Sequence, residues 1–166
     1  MIQEKKAQSA VLGLLTLMAL VLMVSSLVDI YRLFAARNWA NTVAQEAAWI
    51  GAAEGRDWAS LTLSGEIRLE DRVAKDTAEA IVLSELKARD IEAYLLEIRV
   101  LPDPGGGISP GFPPRPVRLG ESLGEWQSSE PAVGVYLSVP VDWLLLDHFG
   151  IVEKSVSVFA SAGVAR

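Results

Sequence analysis

The sequence predicts an α+β protein: a long N-terminal transmembrane helix that continues into a small domain holding a second helix and an antiparallel sheet of about three strands. Three observations predict it. Ala7 to Val28 carries no charge and no proline, and its one glycine is Gly13. From Asp29 to Glu54 the chain again lacks proline and keeps a three-and-four apolar spacing. Beyond residue 90 the apolar period changes to two, the signature of strands with one wet face.

The first stretch is long enough to cross a bilayer. Its 22 residues reach about 33 Å as a helix, against a hydrocarbon core of roughly 30 Å. A cleaved signal peptide would share the basic start at Lys5 and Lys6, but its apolar core is shorter and ends at a small-residue cleavage site. Here Asp29-Ile30-Tyr31-Arg32 follows instead, so a retained anchor is expected. Lys5, Lys6 and the free amine on one side, against Arg32 and Arg37 on the other, lean towards a cytoplasmic N-terminus. Residues 1–6 are then a short cytoplasmic tail, 7–28 the span, 29–56 a helical extension and 57–166 an exported α+β domain. The expected location is a single-pass inner membrane.

In the extension, Leu33, Ala36, Ala40, Val43, Ala47 and Ile50 form a narrow seam of mostly small residues. Small residues let another helix approach closely. The seam either docks on the protein's own sheet or packs against another molecule, and the two uses are compatible at different heights. Gly13, Ser25 and Ser26 extend the same argument into the span. Gly51 and Gly55 end the helix. Leu61-Thr62-Leu63-Ser64-Gly65 fits a short strand or a connection equally well.

Glu70 to Arg89 reads as the second helix, with Ala74, Ala78, Val82 and Leu86 on one stripe and Ile81 beside it. Asp71 with Lys75, and Glu85 with Arg89, are expected i,i+4 pairs on its solvated face. Tyr94, Leu96, Ile98 and Val100 alternate with Glu97 and Arg99 as a strand that Pro102 ends. The Pro/Gly stretch 102–116 is expected to be an irregular surface loop, because proline lacks a ladder donor and glycine costs backbone entropy. The chain then stays polar and turn-rich to Glu130, with Trp126 its large anchor. Val133 to Val139 and Val156 to Val164 alternate as two further strands, and the apolar Trp143–Gly150 between them suits a turn that caps the core or touches the membrane surface.

Composition narrows the function. The net charge is −6 and no basic cluster follows the helix flank, which argues against nucleic acid or anionic lipid headgroups as partners. Cysteine is absent, which excludes disulfides, a thiolate nucleophile and cysteine metal sites. The single histidine, His148, has no metal-ligand spacing to Asp142 or Asp147. Gly105-Gly106-Gly107 lacks the Lys-Ser/Thr of a phosphate loop. No enzyme activity, cofactor or small-molecule substrate is expected; membrane lipid and other proteins are.

Glu4-Lys5-Lys6-Ala7-Gln8-Ser9-Ala10-Val11, the span, Asp29 to Arg37, and Gln45-Glu46-Ala47-Ala48-Trp49-Ile50-Gly51-Ala52 resemble the N-terminal region of TadE/TadG-like proteins. These are pilin-like components of tight-adherence (Flp-type) pilus systems. The closing Val156 to Ala165 looks similar. The resemblance implies a membrane-anchored structural subunit of such a pilus or a related secretion apparatus, with other pilin-like subunits or assembly proteins as partners. The alternative is a membrane-tethered binding module facing the periplasm or the cell surface. Peptidase-cut prepilins carry a glycine before the apolar run and a glutamate five residues after the cut. Here Gly13 lies inside the run and Met18 stands at that distance, so the resemblance points to an uncleaved component.

Overall fold

A computed structural model describes residues 2–115, 117, 124–144 and 155–164, with side chains from residue 11 onward. The elements are α1 (Ile2–Glu54), α2 (Trp58–Ser64), α3 (Asp71–Ala88), β1 (Leu95–Leu101), β2 (Gly107–Pro110), β3 (Glu125–Ser128), β4 (Ala132–Pro140) and β5 (Ser155–Gly163). The fold is α+β, with a three-stranded antiparallel sheet in the order β1-β4-β5. A two-stranded sheet, β2-β3, accompanies it. The chain divides into two compact units, one of residues 1–35 with 141–154 and one of residues 36–140 with 155–166. Helix α1 contributes to both.

In the larger unit, β4 is the central strand, and its residues Ala132 to Val139 are all buried because both of its faces are covered. On one face Val133, Val135, Leu137 and Val139 stand beside Val100, Ile98 and Leu96 of β1 and Ala162, Ala160, Val158 and Val156 of β5. The helices supply the matching apolar surface. Helix α3 buries Ala74, Ala78, Val82 and Leu86, the stripe expected from sequence. Helix α1 buries Ala40, Val43, Ala44, Ala47, Ala48 and Ala52. Each fully buried Val or Leu contributes about 1.5–3 kcal/mol over the exposed state, whereas each alanine adds less and instead lets the layers come close.

The closest approach is between the two helices. A Cβ at Gly51 would lie 2.8 Å from the Ala74 carbonyl oxygen and 3.0 Å from the Ala78 Cβ, and one at Gly55 would lie 2.5 Å from the Ala74 Cβ. Two glycines four apart thus face two alanines four apart. The chain is stitched just beyond, where Asp57 N–H donates to Arg68 O at 2.9 Å and Glu70 N–H to Gly55 O at 2.7 Å. At the other end of α3, the Arg89 guanidinium lies 4.5 Å from the Trp39 ring centroid. Arg89 therefore packs on α1 rather than pairing with Glu85. The ion pair on α3 among the described residues is Arg72–Asp76, at 3.6 Å on an exposed face, and not Asp71–Lys75. Such a pair contributes at most about 0.5 kcal/mol.

Two expectations are corrected on the sheet's other face. The Pro/Gly stretch is not wholly irregular: Gly107 to Pro110 pairs with Ser128 to Glu125. Pro110 is tolerated because it closes the ladder, where no donor is required of it. Phe112, inside the supposed surface loop, is fully buried. It meets Trp126 and Phe159 edge-on, with centroids 5.7 and 5.4 Å away, over Tyr136 and Ala132. Gly134 makes room for this cluster, since a Cβ there would come within 2.8 Å of the Phe112 ring. Residues 61–64, left open between strand and connection, are helical in α2. Asp57 caps that helix by accepting from Ala59 and Ser60 N–H at 2.9 and 3.2 Å. Gly65 ends it in the left-handed region, at φ 71°.

Two outcomes are expected. Gly55→Ala should lower domain stability by about 1–3 kcal/mol in chemical denaturation, as overpacking does. Gly13→Ala, with nothing within 4 Å of its added methyl, should leave the midpoint unchanged. A neutral Gly55→Ala would contradict the close crossing. In addition, hydrogen bonds from the Ser60 side chain and backbone hold the Asp57 carboxyl below its ordinary 3.8. Because the folded value is depressed, the cap's contribution is present above pH 3.8 and is lost as pH falls through the lower folded value. The Ala59 and Ser60 amide shifts in NMR should therefore titrate with a midpoint below 3.8; a midpoint at or above it would contradict the cap.

Candidate assembly surface on the long helix

The residues expected to pack other helices separate into three groups along α1. Gly13 lies on an uncovered stretch, where no heavy atom approaches its missing Cβ within 4 Å. Around it, Val11 to Val24 are exposed on every side, and none of the most apolar window of this helix is buried. Ser25 and Ser26 are half-buried, and the Ser26 hydroxyl donates to the Leu22 carbonyl at 2.8 Å. That bond satisfies Ser26 within its own helix.

Leu33 and Ala36 are half-buried, and Ala40, Val43 and Ala47 are buried, at 0, 3 and 0 % exposure. Ile50 is half-buried. Of the two uses open to the seam, docking on the chain's own domain accounts for positions 40–47. A second molecule would have to displace that packing to reach them.

What α1 leaves open within the larger unit is a different face. Thr42, Gln45, Glu46, Trp49 and Ile50, with Ser161 and Ala162 of β5, line an open groove of about 530 Å³. Trp49 is 72 % exposed. An indole held out on a rigid helix offers a large apolar area at little cost in side-chain entropy, the kind of residue that anchors protein contacts. Beside it β5, an edge strand of the sheet, carries no charge or proline along Ser155–Gly163. Edges without such blunting are ready to pair or to be covered.

The smaller unit holds a polar contact that sequence reasoning missed. Asp29, the first residue after the uncharged run, is fully buried. Its Oδ1 accepts the Leu144 N–H at 2.7 Å. One helical turn on, Arg32 Nη1 donates to the Asp142 carbonyl at 3.4 Å. A buried carboxylate is tolerated only with donors around it. An acid directly after an apolar run reads as the point where a helix enters water, so its burial was not visible without the fold. The Gly51 and Gly55 crossing was missed as well, although its four-residue spacing is a small-residue packing signal.

Among the described residues no group of three or more His, Cys, Asp or Glu side chains is placed to hold a metal. His148 and Asp147 lie outside the described residues, as does most of the expected 143–150 turn. Comparison of the chain with protein-family models, with curated proteins and with solved structures finds no match.

Removing the Asp29 acceptor should leave the Leu144 N–H unpaired, at a local cost of about 1–3 kcal/mol. In Asp29→Ala the Leu144 amide is expected to exchange with solvent at least tenfold faster than in the parent chain, a factor that corresponds to 1.4 kcal/mol. Unchanged exchange would show that the bond does not hold this segment.

Proposed function

We propose that the chain is a membrane-anchored, pilin-like structural subunit of a tight-adherence pilus or a related secretion apparatus, acting by helix packing and protein contacts. One observation carries the reading: α1 runs unbroken from an uncovered apolar stretch into the core of a small α+β unit. A subunit of this kind needs a helix that is lipid-compatible at one end and domain-bound at the other. The N-terminus then faces the cytoplasm and the domain is exported, as the Lys5 and Lys6 charges favour.

Contact between subunits falls to the surfaces α1 leaves open. In the span this is Gly13, with the half-buried Ser25 and Ser26 further along, where small residues permit close approach between helices in lipid. In the domain it is the groove at Trp49. The buried Ala40 and Ala47 act inside the subunit, so enlarging them should unfold the domain as well as abolish assembly.

The test is in-membrane photo-crosslinking from position 49 in cells that carry the whole apparatus. A ladder of self-adducts or adducts with pilin-like proteins is expected, and Trp49→Ala should lower pilus assembly several-fold while the protein level stays constant. A monomer alone at position 49, or full assembly in Trp49→Ala, would contradict the reading and favour a tethered binding module.

A further inference from the structure

The uncharged run ends at Val28, but the apolar surface of α1 does not. Ile30, Tyr31 and Phe34 are 46, 74 and 66 % exposed. The acid that would mark the water boundary, Asp29, shows nothing of itself at the surface because it is fully buried. The first cation after the run, Arg32, reaches back to the Asp142 carbonyl. The uncovered apolar face of this helix therefore continues more than a turn past the residue at which the charge pattern ends it.

At that level the β4–β5 connection is tied to the helix. Leu144 N–H donates to Asp29 and Asp142 O accepts from Arg32, so the backbone of 142–144 lies within one side chain's reach of residues 29–32. Leu144 is 51 % exposed and Trp143 half-buried. An irregular backbone at membrane depth survives only where protein groups satisfy its donors and acceptors, since hydrocarbon offers none. Asp29 does this for the Leu144 N–H and Arg32 for the Asp142 carbonyl. This gives a physical reason for a carboxylate to be buried at the end of a span: it meets a backbone donor that lipid cannot. The alternative at this position, an exposed Asp29 with a free loop, would place charge at the boundary and leave the loop in water.

We propose that Trp143 and Leu144 form a membrane-interface foot, which enters the boundary between headgroups and acyl chains in the leaflet that α1 leaves, with Asp29 as its tether. The partner is lipid, and the foot rests on the reading of α1 as a span. Lipid fits because the surface is continuous with the uncovered helix. The Leu144 side chain gains about 1.5–3 kcal/mol when fully withdrawn from water, with the half-buried Trp143 indole, whose Nε1 is buried, packed behind it. The foot would give the protein a second contact with the bilayer, which limits rotation about the span.

The chain has no cysteine, so single labels can be placed without removing any. Leu144→Cys, carrying a polarity-sensitive fluorophore, is compared with Leu20→Cys in the middle of the apolar run, both in full-length chain in phosphatidylcholine/phosphatidylglycerol vesicles. The free dye–cysteine adduct in buffer is the aqueous reference. At position 144 the emission should shift to the blue, iodide quenching should fall several-fold below that of the free adduct, and lipids with a spin label high on the acyl chain should quench it. Adding Asp29→Ala should return the label towards the aqueous values, whereas Asp29→Asn, which keeps an acceptor, should not. Iodide-accessible emission at 144 would overturn the foot, and so would emission shielded from iodide but not quenched by spin-labelled lipid, which signifies burial against protein. A label at position 20 that is not lipid-quenched would instead overturn the span itself.

Discussion

The larger unit depends on the closeness with which α1 passes α3. Gly51 and Gly55 lie directly against Ala74 and Ala78, and that spacing brings both helices onto one side of the sheet. Each small residue contributes little apolar area. The gain is dispersion and the burial of the larger Val82, Leu86, Val135 and Leu137 beneath them, all at 0 or 1 % exposure. Helix α1 is thus a core element of the domain at one end and an uncovered apolar helix, long enough to cross a membrane, at the other. The alanine seam of its outer half is buried within the chain's own domain.

The other face of the sheet uses a different solution. Three aromatic rings meet edge-on, with Trp126 and Phe159 6.1 Å apart at the widest pair. Arg99 ties the two sheets together. Its guanidinium bonds Ser109 Oγ and the Pro110 carbonyl, pairs with Glu97 at 2.7 Å and covers the Phe112 ring. The small sheet is held mainly by this one cluster, which is why a segment so rich in proline and glycine is still structured.

Periodicity made much of the fold legible. The stripe Ala74, Ala78, Val82, Leu86 and the alternation through Val133–Val139 are buried as the pattern requires, and three strands form the sheet. Segments whose structure comes from distant partners were not legible. Phe112 is buried by Trp126 and Phe159, which lie 14 and 47 positions further along, and nothing in Gly-Phe-Pro-Pro announces them. Asp29 is buried by a hydrogen bond to a residue 115 positions away. Trp49 ranks with the apolar residues by composition, yet it faces outward because the alanines beside it face in. Of the expected packing residues, Gly13, Ser25 and Ser26 remain uncovered or half-buried and Ala40, Val43 and Ala47 are buried in the chain's own domain, a division that requires the fold to see.

Amide hydrogen exchange along α1 in the full-length, lipid-embedded chain tests the central claim most directly. If the outer half of the helix belongs to the domain core, Ala40 to Ala52 should exchange only with global unfolding, at the same protection as Val133 to Val139 of β4. Exchange at Ala40–Ala52 orders of magnitude faster than in β4 would show a helix merely lying beside an independently folded domain, and would contradict the account.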